Sequence, residues 1–405
     1  MTYEERIAQL FARHRSVQSS GFSADAYKPG LEAMQRFSAA LGDPHLKFRS
    51  VHVAGTNGKG TVCSMIAAAL AAQGLRVGLY TSPHLLDFRE RMKIVTRDGW
   101  SMISKADVES FLKRSRRYSD GLTFFEITTG MAFGWFAEQN VDVAVIETGL
   151  GGRLDSTNII TPELSIVTSI GLDHCELLGP DRAAIAAEKA GIFKPGVPAL
   201  VWGRDPETAP VFERIAAAVG APLHYAEDFP GELPECGPNI RTAYAALRLL
   251  GRWEDAAPLV AAASLTGLRA RWEVLIQEPL TICDIGHNPP AMKYNFARLE
   301  ALRGSNPKRP LLVVYGAMAD KDVPGIVRLM PSDATYYLVA PATPRAMSTE
   351  DLALNLKQLR FERSGSVADG VRDALLAARG LEDPVIYIGG STYVAAEAIS
   401  YIKGI

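Results

Sequence analysis

The chain has 405 residues, 47% of them hydrophobic and 22% charged, with a formal net charge of −2. That length exceeds a single ordinary core and predicts two domains, and the composition is that of a folded globular chain rather than a disordered one. A charge so near zero gives no electrostatic basis for a nucleic-acid or membrane partner. In chain order, apolar β-rich runs predict strands at Ser50–Ala54, Arg76–Thr81, Val141–Glu147, Leu164–Ile170 and Val197–Trp202. Helical patterns lie between them, at Thr61–Gln73, Lys105–Tyr118, Glu126–Gln139 and Asp181–Gly191. This alternation predicts an α/β fold with a mostly parallel sheet covered by helices. Gly220–Pro238 reads as a turn-rich interval, followed by one helix at Ile240–Leu250. A second series then begins, with strands at Thr281–Ile285, Leu311–Tyr315, Thr335–Ala340 and Val385–Ile388 and helices at Ala291–Leu302, Met347–Gln358 and Val367–Arg379. The expected division is a nucleotide-binding domain over 1–265 and a smaller α/β domain over 266–405, both of ordinary size.

The four cysteines, Cys63, Cys175, Cys236 and Cys283, form no CxxC pair, so neither disulfides nor a zinc site is expected. A reducing cytoplasm is the expected compartment. The N-terminus, MTYEERIAQLFARHR, is charged and amphipathic and lacks the apolar stretch of a secretory signal. No apolar run is long enough to span a bilayer. The basic run Lys113–Arg117 reads as a solvated helix face.

Residues 51–61 carry the strongest chemical signal. Val-His-Val-Ala runs into Gly-Thr-Asn-Gly-Lys-Gly-Thr, and a helical pattern follows at once. Phosphate binding needs this arrangement: glycines let backbone N–H groups close round the oxygens, a lysine ammonium neutralises charge, and a hydroxyl can reach Mg²⁺. The match to the usual P-loop is irregular. The first glycine would fall at Val53, and Gly60 separates Lys59 from Thr61. An ordinary tight strand-to-helix turn is the alternative.

In open parallel sheets, ligands gather at the carboxyl ends of strands. The second predicted strand ends in Tyr80-Thr81-Ser82-Pro83-His84. Val141–Glu147 ends in an acid, the usual form of a Mg²⁺-organising carboxylate beside a P-loop, and Gly149–Asp155 follows it as a glycine-rich turn. The next strand runs into Ser169-Ile170-Gly171-Leu172-Asp173-His174. Glu147 with a hydroxyl from Ser82 or Thr61 suits the oxygen preference of Mg²⁺. His174 reads from the residues alone either as a ligand or as a hydrogen-bonded structural histidine.

Taken together, GTNGKGT (55–61), TSPHL (81–85), FFEITT (124–129), ETGLGGRLDSTN (147–158), TSIGLDH (168–174) and EKAGIFKPG (188–196) resemble the folylpolyglutamate synthases and bifunctional dihydrofolate synthases of the Mur-ligase superfamily. DIGHNP (284–289), GAMADKD (316–322) and Gly390-Ser391 continue the resemblance, which covers about residues 28–396. It implies a central ATP-binding domain followed by a Rossmann-like glutamate-ligase domain. It also implies ATP phosphates on Asn57, Gly58, Lys59, Gly60 and Thr61, with further ATP contacts from Asn239, Arg271 and Asp284. Magnesium would be held at Ser82, Glu147 and His174. Lys189, by itself a solvated helix lysine, matches the family's carbamylated lysine and would present a carboxylate-like oxygen to a second metal ion. His287 falls where relatives place an imidazole near the phosphates, so Lys59, Lys189 and His287 are the expected catalytic residues. Pteroate contacts match Thr123, Phe124, Phe125 and Glu126 and Leu154, Asp155 and Ser156, with core packing as the alternative for at least one of the two phenylalanines.

The implied reaction is ATP-dependent addition of L-glutamate to a folate-type carboxylate through an acyl phosphate. Dihydrofolate synthesis is a second expected activity. Two Mg²⁺ ions are expected, with a monovalent cation as a further candidate ligand, in a cytoplasmic protein that is monomeric by analogy. Closure of the domains about a hinge near 264–272 would protect the acyl phosphate from water. Three departures stand out. The family's LPGRFE reads Leu268-Arg269-Ala270-Arg271-Trp272-Glu273, which makes Arg269 an alternative to Arg271. DxAHNP reads DIGHNP, with its polar residues intact. The family's pteroate loop near the N-terminus is replaced by Tyr27-Lys28-Pro29-Gly30.

The competing readings are a peptidoglycan-type Mur ligase, a P-loop ATPase or switch, and an inactive nucleotide-binding module. The FFEITT and GLGGRLDSTN segments favour the folate branch. About 50 residues precede the loop, too few for the extra N-terminal domain that a uridine-nucleotide substrate calls for. A second domain devoted to site residues argues against a switch. Retention of Lys59, Glu147, His174 and Lys189 argues against an inactive module.

Overall fold

The computed structural model describes residues 2–14, 30–234, 237–304 and 309–404. Tyr27 to Pro29 and Cys236 lie outside the described residues. Cys63, Cys175 and Cys283 are free thiols. No described helix is long and apolar enough to cross a membrane.

The chain divides into two compact units, 1–268 and 269–405. The first is built on eight strands: β1 (Arg49–Ala54), β2 (Val77–Tyr80), β3 (Met92–Thr96), β4 (Gly99–Met102), β5 (Val143–Glu147), β6 (Leu164–Val167), β7 (Ala199–Val201) and β8 (Leu223–Tyr225). Their order is β4-β3-β2-β5-β1-β6-β7-β8. All neighbours from β2 to β8 are parallel, while β3 and β4 add an antiparallel edge. β1 lies between β5 and β6, with Val53 opposite Glu147 and Ala54 opposite Val167. Loops leaving β1, β5 and β6 therefore start side by side. That is the crevice where open α/β sheets bind ligands.

Each sheet face has its own cover. Val51, Val53, Val145 and Ile166 pack on the helix Lys59–Ala72. All of that helix from Val62 to Ala71 is buried, because Pro238–Leu249, Ala257–Val260 and Ala262–Thr266 close over its other side. This accounts for the absence of an amphipathic stripe in the sequence of the helix. On the opposite face, Ala144 and Ile146 pack with Ile127, Met131 and Phe133 of the helix Phe124–Glu138. Alternation along β1 turns His52 to this second side.

The second unit carries β9 (Glu273–Ile276), β10 (Leu280–Cys283), β11 (Leu311–Tyr315), β12 (Thr335–Val339), β13 (Arg360–Gly365) and β14 (Val385–Gly389), in the order β13-β12-β11-β14-β10-β9. Only β9 is antiparallel. β11 and β14 meet closely: a Cβ on Gly390 would lie 2.4 Å from the Gly316 carbonyl oxygen, and its φ is +101°. The GAMADKD and Gly390-Ser391 segments thus leave neighbouring strand ends.

The sequence expectation missed the β3–β4 pair. Its hydrophobic alternation is interrupted by Lys93, which is 4% exposed, yet its ammonium donates to the Thr266 and Gly267 carbonyls at 3.0 and 2.9 Å. A contact so distant in sequence leaves no local trace. β8 falls inside the interval read as turns, and β13 (RFERSG) is a largely exposed edge with few apolar residues. The strand expected to reach Ile170 ends at Val167, and the helix expected over Met347–Gln358 spans Thr349–Asn355. Lys105–Tyr118 divides into a helix ending at Ser115 and a 3-10 turn over Arg116–Tyr118. Lys113 and Arg117 are exposed, as a solvated face should be.

Candidate active site

The loop after β1 is shaped by what its neighbours do to its carbonyls. Gly55 has φ +151°, and a Cβ there would lie 1.7 Å from Thr168 Oγ1. The Asn57 carbonyl accepts from Thr168 Oγ1 at 2.8 Å and from Ser169 Oγ at 3.2 Å. Thr56 N donates to the Ser169 carbonyl, and Thr56 Oγ1 donates to the Gly171 carbonyl. Gly58, at φ +86°, caps the following helix and offers no side-chain oxygen to it. The amides of Lys59, Gly60 and Thr61 thus open a 14-residue helix with no side-chain cap, the ordinary form of an anion site. A Cβ on Gly58 would meet Asn239 Oδ1 at 2.2 Å, which sets Asn239 directly against the loop.

Two lysines converge on one carbonyl. Lys59 Nζ donates to Gly55 O at 3.0 Å and to Thr56 O at 3.2 Å, and Lys189 Nζ donates to Gly55 O at 2.9 Å. Lys189 is therefore no surface lysine, being 4% exposed. Its pKa is lowered to about 7, chiefly by burial and then by the Lys59 charge, with Asp173 and Asp155 opposing the shift. An amine near pH 7 in such a place is substantially neutral and nucleophilic.

Glu147, 4% exposed at the end of β5, accepts from Ser82 N at 3.0 Å and keeps Oε1 4.0 Å from Lys59 Nζ. It ties the end of β2 to the phosphate-type loop. His174 lies one loop further on, with φ +54°; its backbone N donates to Asp173 Oδ1, and its Nδ1 is 3.6 Å from the same oxygen. Among the described residues no three His, Cys, Asp or Glu side chains form a metal-holding group. The expected set contains only two of those types, Glu147 and His174. A carboxylate and the Ser82 hydroxyl at adjacent strand ends fit the oxygen preference of Mg²⁺.

The residues matched to pteroate contacts fall into two classes. Thr123 and Glu126 form a capping box, Glu126 N donating to Thr123 Oγ1 and Thr123 N to Glu126 Oε2. Phe124 is buried against Phe11 at 4.2 Å between ring centroids, with the Arg91 guanidinium over its ring at 5.2 Å. Phe125 is partly exposed and stands over Gly149, where a Cβ would lie 2.5 Å from its ring. Core packing thus accounts for Phe124, and the open ring is Phe125. Leu154 and Ser156 are partly exposed, whereas Asp155 between them is buried. Its carboxylate accepts from Gly149 N and Leu150 N through Oδ2 and from Thr157 N and Oγ1 through Oδ1. Asp155 therefore ties the Gly149–Leu150 turn to Thr157, an organising role within the protein that the sequence did not reveal.

In the second unit, Asp284 leaves β10 and accepts from Trp272 N at 2.9 Å, Gly286 N at 2.7 Å and Asn295 Nδ2 at 2.7 Å. Asn288 caps the helix Pro289–Arg303 through Ala291 N, with Pro289 in the first turn. His287 Nδ1 lies 3.0 Å from the Ile285 carbonyl, which orients the ring. Arg269 Nε is bound to Glu273 Oε1 at 2.5 Å, while Arg271 Nη1 donates to the Arg269 and Ala270 carbonyls at 3.4 and 3.3 Å. Separately from all these residues, Arg6, Arg13, His14, Lys113 and Arg116 line a basic cavity of about 280 Å³.

Two family profiles match the chain, the Mur ligase middle domain over residues 53–224 and the Mur ligase glutamate ligase domain over 270–391. The chain is 35% identical over 393 residues to the dihydrofolate synthase/folylpolyglutamate synthase of Escherichia coli, covering 90% of each. Its fold is similar to that of E. coli FolC in complex with DHPP and ADP (TM-score 0.86, 29% identity, 100% of this chain and 98% of that one). It is also similar to a bifunctional folylpolyglutamate synthase/dihydrofolate synthase with Mn, AMPPNP and L-glutamate bound (TM-score 0.84, 30% identity, 100% and 98%).

Proposed function

The chain belongs to the dihydrofolate synthase/folylpolyglutamate synthase family and is an ATP-dependent amide ligase, and on that premise we propose how its residues join L-glutamate to a folate-type carboxylate. The substrate carboxylate attacks the γ-phosphorus of ATP, the bond to the β–γ bridging oxygen breaks, and ADP leaves an acyl phosphate. The neutral amine of glutamate then attacks the acyl carbon, the nitrogen gives up a proton, and the tetrahedral intermediate collapses to the amide by expelling phosphate, which carries that proton away. The first step brings two anions together, so charge neutralisation and positioning carry most of it.

The single observation that carries the reading is the convergence of Lys59, Lys189 and Glu147 on the loop after β1. The uncapped amides of Lys59, Gly60 and Thr61 receive phosphate oxygens, and the Lys59 ammonium, with Gly55 and Thr56 carbonyls as its resting partners, turns to them. Asn57 and Gly58 shape the loop, and Asn239, Arg271 and Asp284 supply the remaining nucleotide contacts. Of the two arginines, Arg271 suits this role, since Glu273 engages Arg269. His287 is the proposed imidazole near the phosphates. The proposed folate surface consists of Phe125, Leu154 and Ser156, with Thr123, Phe124, Glu126 and Asp155 shaping it from beneath.

Glu147, Ser82, His174 and Lys189, once carbamylated, would hold two Mg²⁺ ions. Bound there, the ions would screen the phosphate charges and organise the γ-phosphoryl group. Burial prepares Lys189 for that modification by keeping its amine near neutrality. Relatives similar over nearly the whole chain are folate enzymes, which favours a folate over a peptidoglycan precursor. The decisive assay supplies MgATP, L-glutamate and either dihydropteroate or tetrahydrofolate and follows ADP and conjugate. We expect ADP release that requires both acceptor and glutamate, with one conjugate per ADP. ADP release driven instead by UDP-linked peptides, or with no acceptor, would overturn the reading.

A further inference from the structure

His52 lies on β1 three residues before Gly55, fully buried, and none of the chemistry above uses it. Its Nε2 is 2.8 Å from Thr157 Oγ1. Thr157 Oγ1 in turn donates its only proton to Asp155 Oδ1 at 2.5 Å. A hydroxyl that has given away its proton can only accept, so His52 carries hydrogen on Nε2. Its Nδ1 is then unprotonated, in agreement with the absence of any partner for that atom. Burial holds the ring neutral, with its pKa lowered to about 3. The chain of donors is directional: the imidazole gives to Thr157, and Thr157 gives to Asp155. The other oxygen of Asp155 takes the amides of Gly149 and Leu150 at 2.8 and 2.9 Å.

Three buried side chains thus end on two backbone amides of the turn that follows Glu147. Thr157 N also donates to Asp155, an ordinary local cap, so the cap alone does not require His52. What His52 adds is a fixed direction for the Thr157 hydroxyl, and through it a fixed carboxylate. We propose that His52 is a positioning residue which, through Thr157 and Asp155, sets the Gly149–Leu150 turn against which the folate substrate binds. The inference rests on the folate-ligase reading. It assigns the folate-specific effect to a residue that touches neither substrate nor nucleotide.

The test compares four variants, His52→Leu and Thr157→Val, which break the relay, with His52→Gln and Thr157→Ser, which keep a donor and a hydroxyl. Steady-state kinetics should show the folate-substrate KM raised about tenfold in the first two, with the ATP KM within about twofold of wild type. Gln and Ser should recover most of the loss. The double variant His52→Leu/Thr157→Val should be no worse than either single one, because both remove the same relay. Equal shifts in both KM values, a fall in kcat alone, or additive losses would overturn the proposal. Should His52→Leu fail to fold, the Thr157 pair carries the same comparison. A second readout is independent of turnover: ¹⁵N-histidine NMR of the wild-type protein should show His52 protonated at Nε2, with that proton exchanging faster in Thr157→Val. An Nδ1-protonated ring would contradict the relay. Wild-type protein inactive on folates but with the expected tautomer would refute the functional reading and leave the relay standing.

Discussion

Two strand-end turns in the first unit, Gly55–Gly58 after β1 and Gly149–Asp155 after β5, use opposite chemistry. The first turns carbonyls inward, where two lysines and two hydroxyls hold them, and leaves uncapped amides at its mouth. Positive charge and N–H groups are in excess there, which is what a phosphate needs. The second turns amides inward, onto the buried carboxylate of Asp155. Its charged group is satisfied internally, and the surface it offers is Leu154, Ser156 and the ring of Phe125. A glycine-rich turn beside a strand end is therefore not by itself a phosphate site; the sign of the group that organises its backbone decides.

Four experiments can break or sharpen this contrast. The largest effect is expected from Gly55→Ala, where the new methyl would collide with Thr168 Oγ1 at a φ of +151° that alanine rarely adopts. Activity and nucleotide binding should both be lost, checked by ADP release and calorimetric titration with ATP. Next, Lys59→Met removes the ammonium and keeps the stem, and kcat should fall by about 100-fold or more. Retention of full activity would refute the phosphate role. Asp155→Asn places an amide group among the amides of Gly149, Leu150 and Thr157, and should raise the folate-substrate KM about tenfold with little change for ATP.

The smallest effect is a difference in pH dependence. Uncarbamylated Lys189 has its folded pKa lowered from 10.5 to about 7, so between these values the unfolded chain binds the extra proton and the stability of the unmodified protein rises with pH, by up to about 1.4 kcal/mol per unit. His52 is lowered from 6.5 to about 3, so stability falls as pH drops through that window. Urea unfolding across pH should lose the alkaline slope in Lys189→Met and part of the acid slope in His52→Gln. Unchanged slopes would mean that neither group is held neutral by the fold.

Much of the first turn was legible in the sequence, because the strand, glycines, lysine and helix that make it are contiguous. The parallel sheets were legible too, from alternating strand and helix patterns. Lys189 was legible only through resemblance: its helix pattern resembles a surface, and its burial depends on Gly55, 134 residues away. Asp155 was matched to a pteroate contact through resemblance alone, and its bonds to the Gly149 and Leu150 amides are visible only in the fold. His52 was passed over as one residue of an apolar strand. What marks it is a hydrogen bond to Thr157, 105 residues on, and no local pattern encodes that. Lys93 and the β3–β4 edge were missed for the same reason.

The contrast between the turns is tested most directly by measuring ATP and folate-substrate affinities side by side in wild type, Lys59→Met and Asp155→Asn. Lys59→Met should weaken nucleotide binding and leave the folate substrate nearly unchanged, and Asp155→Asn should do the reverse. If both variants weakened the same ligand, the two turns would not divide phosphate and folate between them, and the account would be contradicted.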